Sequence, residues 1–329
     1  MKAFALDQLG EPESLRLADM AMPEPKVGEV RVRVEAVALN PVDYKVAMRG
    51  HPLWTFPFIP GLDVAGSVDQ IGADVAGWKA GERVYYHGDL RKPGGFAEYA
   101  IVDHRALSRI PDHVAAVAAA ALPTAAFTAY QAIFSKVCPR ENRSILIHGG
   151  AGGVGGFALQ FAKRGGFSTI LTTASPKNAE TVKTLGADHA IDYHGDVKAE
   201  VMRLTNGRGL DMIVNTVGPA SATGGFEMLA FGGDLVCIAG LPDFSAWPPF
   251  RLGASVHEIA LGAAHASEDD YSIRELGRIG DEVIGMVADK TLNPMVGEIA
   301  DFTTLPQALA RLKRREVPAG KVVVRVQQV

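Results

Sequence analysis

The sequence predicts a two-part α/β protein, in which a β-rich first domain is followed by a doubly wound parallel sheet. Three observations carry this. Glu29 to Leu39 (EVRVRVEAVAL) alternates polar and apolar side chains, the period of a half-buried strand. Ser144 to His148 (SILIH) is a short apolar strand that passes through glycines into a helical face made by Val154, Phe157, Ala158, Phe161 and Ala162. From about Thr124 onward strand and helix alternate, which implies parallel strands joined by crossover helices.

The elements follow in order. Strand-like runs at Asp63 to Ile71 and Arg83 to Tyr86 are separated by the turn formers Pro60-Gly61 and Pro93-Gly94-Gly95. The apolar stretch from His113 to Phe134 is rich in Ala, cut by Pro123, and carries Thr124, Thr128 and Gln131, so two buried helices fit it better than a membrane span. Strands are expected at Ser168 to Thr173, Ala190 to Tyr193, Met212 to Val217 and Leu235 to Ala239, with a sixth at Glu258 to Gly262. Helices end at the stop signals Gly186 and Asn206-Gly207. Leu241 to Pro249 is too irregular for either element. Six strands with intervening helices match a doubly wound dinucleotide fold. Ile273, Leu276, Ile279, Val283 and Met286 then mark a long amphipathic helix, and the terminal KVVVRVQQV is strand-like, so the chain returns to its first domain. The expected division is 1–122 completed by 267–329, and 123–266, with the two domains packed around a cleft.

Composition narrows the function. A length of 329 residues suits two domains, and 47% hydrophobic with 21% charged residues is the balance of an ordinary globular protein. The net charge of −4 leaves no cationic excess for a phosphate backbone, so nucleic acid is not an expected partner. The basic run Arg311, Lys313, Arg314 and Arg315 closes an amphipathic helix, where cations complement the dipole. Cys138 and Cys237 are too few for a disulfide scaffold or a four-thiolate zinc site and read as buried, inert thiols. With no apolar run of signal length at the N-terminus, a reducing, cytoplasmic setting is expected.

Gly150-Ala151-Gly152-Gly153-Val154-Gly155 fits G-x-G-x-x-G between a strand and a helix, where the backbone can approach a pyrophosphate and the helix N-terminus directs N–H groups at it. An NAD-selective fold places Asp or Glu about 20 residues beyond. Here the segment is Thr172-Thr173-Ala174-Ser175-Pro176-Lys177, with a hydroxyl and a cation in place of a carboxylate, which favours NADP(H). Alternatively Ser175 caps a helix and Lys177 lies on its solvated first turn, which leaves the preference open.

The segments ALNPVDYK, IPGLDVAGSVDQIG, LPTAAFTAY, ILIHGGAGGVGG, LGADHAIDY and AGKVVVRV occur in this order over nearly the whole chain. In them the sequence resembles the medium-chain dehydrogenase/reductase superfamily, and most of all its zinc-free branch of quinone oxidoreductases and NADPH-dependent alkenal or enone reductases. The resemblance implies a GroES-like substrate domain, a Rossmann domain and a homodimer. It also implies two missing zinc ligands: Asn40 stands where metal-dependent members carry a Cys, and Leu62, in Gly61-Leu62-Asp63, where they carry a His. Without a Lewis acid, hydride addition to a quinone or enone is favoured over alcohol–carbonyl interconversion, because the developing charge spreads onto a conjugated oxygen that hydrogen-bond donors can stabilise.

The resemblance also implies site residues. Asn40 is expected to donate to the substrate oxygen, Lys45 to add positive charge beside it, and Tyr44 to supply a proton. The plainer alternative makes Asn40-Pro41 a turn, Lys45 solvated and Tyr44 a core edge. Thr124 and Thr128, on the helix opening the second domain, are expected at the nicotinamide, with Gly320 and Lys321 reaching back to it. Tyr193 is expected by the adenine, or else in the core. Asn215, Gly218, Ala239 and Gly240 lie at the C-terminal ends of parallel strands, where open α/β sheets bind ligands. The acceptor pocket is expected from Trp54 to Phe58, Tyr86 and the Phe244 to Phe250 loop. Competing readings are a non-catalytic NADPH-binding protein, with Trp247 and Phe250 blocking the nicotinamide, and a zinc alcohol dehydrogenase.

Overall fold

The computed structural model describes residues 1–137, 143–247, 250–267 and 269–326. Cys138, Pro248, Pro249 and the last three residues of the terminal strand-like run lie outside them. The chain opens with β1 (Lys2–Ala5), β2 (Arg16–Asp19), β3 (Glu29–Ala38), α1 (Pro41–Arg49), β4 (Asp63–Ile71), β5 (Arg83–His87), β6 (Tyr99–Asp103), β7 (Ser108–Arg109) and α2 (Ala116–Ala120). Wide helical turns at Pro123–Phe127 and Gln131–Ser135 flank α3 (Thr128–Tyr130). The series β8 (Ser144–Ile147), α4 (Gly153–Arg164), β9 (Thr169–Ala174), α5 (Ala179–Thr184), β10 (His189–Asp192), α6 (Val197–Leu204), β11 (Leu210–Asn215), α7 (Pro219–Gly225), β12 (Leu229–Cys237) and β13 (Ser255–Glu258) follows. The chain closes with α8 (Asp270–Ala288), β14 (Val296–Asp301), α9 (Leu305–Arg314) and β15 (Lys321–Arg325).

These elements form two compact units, Met1–Phe127 with Leu261–Val329, and Thr128–Ala260. The expected boundaries put Pro123 to Phe127 and Leu261 to Ala266 in the second domain, whereas these residues cluster with the first unit. The reason is local: Thr124 is hydrogen-bonded to Asp63, and the His265 ring stacks on His87 with centroids 5.7 Å apart.

The second unit carries a parallel six-stranded sheet in the order β10-β9-β8-β11-β12-β13. Counted along this unit the order is 3-2-1-4-5-6, that of the doubly wound dinucleotide-binding fold. Leu146, Leu171, Ile213 and Leu235, from four neighbouring strands, are fully buried in one cluster. The sixth strand lies earlier than expected. Ser255 to Glu258 pairs with Asp234 to Cys237, and only Glu258 is shared with the expected span. The more apolar Ile259 and Leu261 are buried after the strand has ended, which is why apolarity alone misplaced it.

In the first unit, β14-β15-β3-β4-β5-β7 form one sheet, with β6 also paired to β3. Val30, Val32 and Val34 of β3 point inward, while the intervening Arg31 and Arg33 do not, as the alternation predicts. The helix α8 packs its glycines against this sheet: a Cβ on Gly280 would stand 2.0 Å from Ser108 Oγ. That close approach lets Tyr85 donate its hydroxyl to the Gly280 carbonyl at 2.6 Å. No helix among the described residues is long and apolar enough to cross a membrane.

Candidate active site

Strand register assembles a buried polar cluster in the first unit. β15 runs antiparallel to β3 with Val323 opposite Ala38, which brings Lys321, at the start of β15, beside Asn40, just past the end of β3. β4 pairs Ala38 with Asp63, and β5 pairs Asp63 with His87. Gly320 makes the entry to β15 possible: its φ is +100°, and a Cβ there would lie 2.4 Å from the Met295 carbonyl oxygen.

Asp63 is fully buried and accepts four hydrogen bonds. Its Oδ1 takes the Thr124 backbone N–H at 2.8 Å and the Thr124 hydroxyl at 2.6 Å. Its Oδ2 takes Asn40 Nδ2 at 2.8 Å and Lys321 Nζ at 3.3 Å. Lys321, only 4% exposed, also donates to the Leu39 carbonyl at 3.2 Å and to Asn40 Oδ1. A buried carboxylate is tolerable on such terms, paired with a cation and with its oxygens satisfied.

Asp43 lies on the adjoining first turn of α1, where its Oδ2 accepts the Asn40 N–H at 2.7 Å. Its Oδ1 is buried without a hydrogen-bond partner. Burial, and next the neighbouring Asp63 carboxylate, push the Asp43 carboxyl up to about 8. Across the sheet, burial lowers the His87 imidazole to about 4. His87 Nδ1 and the hydroxyl of buried Tyr86 have no partner, and His265 Nε2 donates to the His87 carbonyl at 3.1 Å.

The structure redistributes the expected roles. Asn40 is not a free donor, because its Nδ2 is engaged by Asp63 and, at 3.3 Å, by the Ala38 carbonyl. Thr124 has its hydroxyl proton committed to Asp63, and Lys321 is buried among these groups. These three are brought together; Tyr44 and Lys45 stand apart on α1, Tyr44 partly buried and Lys45 exposed. A small pocket in the same unit is lined by Asp43, Val46, Trp54, Phe58 and Leu62 among others, with the Trp54 and Phe58 rings stacked 3.9 Å apart. Trp54 and Phe58 were expected to line a pocket. Tyr86, also expected, is buried elsewhere, and Lys45 is absent from the lining. Sequence reasoning missed Asp43 and the pairing of Asp63 with Lys321, although Lys321 itself is among the expected site residues. The N-x-x-D spacing before a helix was the available signal for Asp43.

In the second unit the expected cofactor residues gather at the C-terminal ends of the strands. Gly150, Ala151 and Gly152 form the turn from β8 to α4, and Gly153 and Val154 open the helix, whose first N–H groups have no intrahelical acceptor. The turn is tight: a Cβ on Gly155 would lie 2.2 Å from the Gly149 carbonyl oxygen, and one on Gly150 2.2 Å from Thr172 Oγ1. Ser175 and Lys177 follow β9 directly: Ser175 is the N-cap residue of the short helical turn Pro176–Asn178, without a side-chain capping bond, and Lys177 is exposed on that turn. The backbone and these two side chains fit a nucleotide phosphate.

The surroundings of the other expected contacts differ from residue to residue. Asn215 is fully buried; its Oδ1 accepts the Val217 N–H at 3.0 Å and its Nδ2 donates to the Gly218 carbonyl at 2.7 Å, fixing the loop after β11. Gly218 and Gly240 both have positive φ, and Gly240 packs close to Pro219, bringing the loops after β11 and β12 together, with Ala239 just beyond β12. Tyr193 is half exposed beside His194, not in the core. Thr128 is buried on α3. His148, just before the glycines, has a buried Nε2 without a partner and is lowered to about 4 by burial. Cys237 is a buried free thiol, raised to about 11 chiefly by burial.

The first unit does not fit a catalytic zinc. Such an ion needs three protein ligands drawn from thiolate, imidazole and carboxylate. Leu62 offers no donor, Asn40 Oδ1 is engaged by Lys321, and no group of three His, Cys, Asp or Glu among the described residues is arranged to hold a metal.

Comparison with known proteins agrees with this architecture. Residues 26–112 match the alcohol dehydrogenase GroES-like domain, and residues 153–272 match the family described as zinc-binding dehydrogenase. Over 72% of this chain and 73% of its own length, quinone oxidoreductase from Homo sapiens is 30% identical. The 2-methylene-furan-3-one reductase of Solanum lycopersicum is 38% identical over 59% of this chain and 52% of its own. Among solved structures, the quinone oxidoreductase of Pseudomonas syringae pv. Tomato DC3000 superposes with a TM-score of 0.87 at 26% identity, covering 99% of each chain. Sheet order, glycine turn and these matches together make this chain an oxidoreductase of the medium-chain dehydrogenase/reductase superfamily, a family that binds nicotinamide cofactors, and place it in the quinone oxidoreductase branch.

Proposed function

We propose that this chain is a zinc-independent reductase that uses NADPH to reduce a quinone or the C=C bond of an α,β-unsaturated carbonyl. The observation that carries the proposal is the misfit of Asn40, Leu62 and Lys321 to a Lewis-acid metal, set beside relatives named for quinone and enone reduction. A bound dihydronicotinamide supplies a hydride.

The chain's own residues do the rest. Gly153 and Val154, at the first positions of α4, present N–H groups for the pyrophosphate, while the Gly152 N–H closes the turn on the Gly149 carbonyl at 3.0 Å. Ser175 and Lys177 offer a hydroxyl and an exposed cation for a 2′-phosphate, and the segment Thr172 to Lys177 carries no carboxylate to prefer a ribose hydroxyl. Lys45 and Tyr44, neither engaged with another side chain among the described residues, supply positive charge and a proton for the reduced acceptor. A homodimer joined at the open edge of β13 belongs to the same reading. Of the two side chains that the non-catalytic alternative uses as a plug, Trp247 packs on Phe226 with ring centroids 4.2 Å apart and Phe250 is fully exposed.

The test follows deuterium. With 4-deuterated NADPH and an enone, deuterium at the β-carbon of the product supports the proposal. Deuterium at the carbonyl carbon would instead indicate alcohol dehydrogenase chemistry.

A further inference from the structure

We infer that Lys321 is the fixed cation of the buried cluster in the first unit, taking the charge role that a metal ion fills in metal-dependent relatives, and that it positions Asn40 and Asp63 while closing the site to divalent metal. An ammonium has three donors, and here they meet three acceptors: Asn40 Oδ1, the Leu39 carbonyl and Asp63 Oδ2. The amide of Asn40 therefore has one permitted sense. Reversing it would set an NH2 group against the ammonium and a carbonyl oxygen against the carboxylate.

The charges close as well. Lys321 and Asp63 neutralise each other at 4% and 0% exposure. The groups facing the pair from the other packed elements are Asp43 of α1, the uncharged hydroxyl of Thr124, and His87 of β5, whose burial keeps it neutral. A divalent ion would have to displace Lys321 from Asn40 Oδ1 and Asp63 Oδ2, and the unpartnered Asp43 Oδ1 and His87 Nδ1 belong to no group of three ligands arranged to hold a metal among the described residues. Because the strand register of β15 on β3 dictates where Lys321 lies, the cation is part of the fold and cannot be removed by chelation.

A double-mutant cycle on the full-length protein tests this, reading thermal midpoints for the wild type, Lys321→Met, Asp63→Asn and the double variant. Each single change leaves a buried partner unmatched and is expected to lower Tm by roughly 10 °C. The double variant is expected to lose clearly less than the two losses combined. Strict additivity would mean that Lys321 contributes packing alone and would overturn the inference.

Should Lys321→Met fail to fold, recovery of folded protein in the double variant supports the inference. Failure of the double variant while Asp63→Asn folds contradicts it. In parallel, wild-type protein incubated with cobalt(II) and desalted is expected to retain far less than one equivalent and to show no visible ligand-field band; one cobalt per chain bound at this cluster would overturn the exclusion. These readouts are stability and metal content, so they stand apart from whether the chain turns over NADPH.

Discussion

Thr124 donates both its backbone N–H, at 2.8 Å, and its hydroxyl, at 2.6 Å, to the same oxygen of Asp63. Hydrogen bonds to a charged group contribute about 1.5–3 kcal/mol. Thr124→Val keeps the shape and the backbone bond but removes the hydroxyl, so unfolding by urea is expected to show a loss of about 2 kcal/mol. Thr124→Ser, which retains the donor, is expected to lose less than half of that.

The Asp43 carboxyl makes stability depend on pH in an unusual direction. Its folded pKa, about 8, lies above the ordinary value of 3.8, so the folded state keeps a proton that the unfolded chain releases. Its contribution is present below the unfolded pKa and fades as pH rises toward 8. Asp43→Asn imitates the protonated form and still accepts the Asn40 N–H through its amide oxygen. Relative to wild type, this variant should therefore gain stability between pH 5 and pH 8, as read from denaturation midpoints across that range.

His87 acts with the opposite sign. Burial holds it near 4 against an ordinary 6.5, so the unfolded state binds the extra proton. Stability is complete above about pH 6.5 and falls as pH drops toward 4, with a full loss on the order of 3 kcal/mol. His148 of the second unit has the same sign and a similar value. Replacing His87 by Leu should flatten the acid limb of the stability profile in part, and replacing His148 as well should flatten it further. An unchanged limb in both variants would show that other groups control acid unfolding.

Lys177 is exposed beyond β9 and pairs with no carboxylate among the described residues. If it meets a 2′-phosphate, Lys177→Ala should raise KM for NADPH by roughly 10- to 100-fold, the loss of one charge-assisted contact. NADH, which lacks that phosphate, should be almost unaffected. Steady-state kinetics with both cofactors separate this outcome from a general loss of activity.

Local patterns were readable from the sequence and long-range chemistry was not. β3 and β4 were visible because alternation marks a strand that buries one face, and the Gly150–Gly155 turn because strand, glycines and helix adjoin in the chain. β13 was misplaced because an exposed edge strand such as Ser255-Val256-His257-Glu258 carries little apolar signal. The assembly of Asn40, Thr124 and Lys321 around Asp63 escaped for a different reason. Lys321 and Asn40 are 281 residues apart and meet only through the pairing of β15 with β3. Read in its own segment, Asn40 looked like a donor for substrate; once Asp63 and Lys321 are beside it, both of its polar atoms are committed.

The central claim is NADPH-linked reduction of a conjugated acceptor without a metal. Its most direct measurement is NADPH and NADH oxidation by chelator-treated protein against quinones, enones, saturated aldehydes and ketones. The account predicts turnover of quinones or enones with NADPH, unchanged by chelation, and none of the saturated carbonyls. Activity on alcohols or saturated carbonyls that chelation abolishes and zinc restores would contradict it.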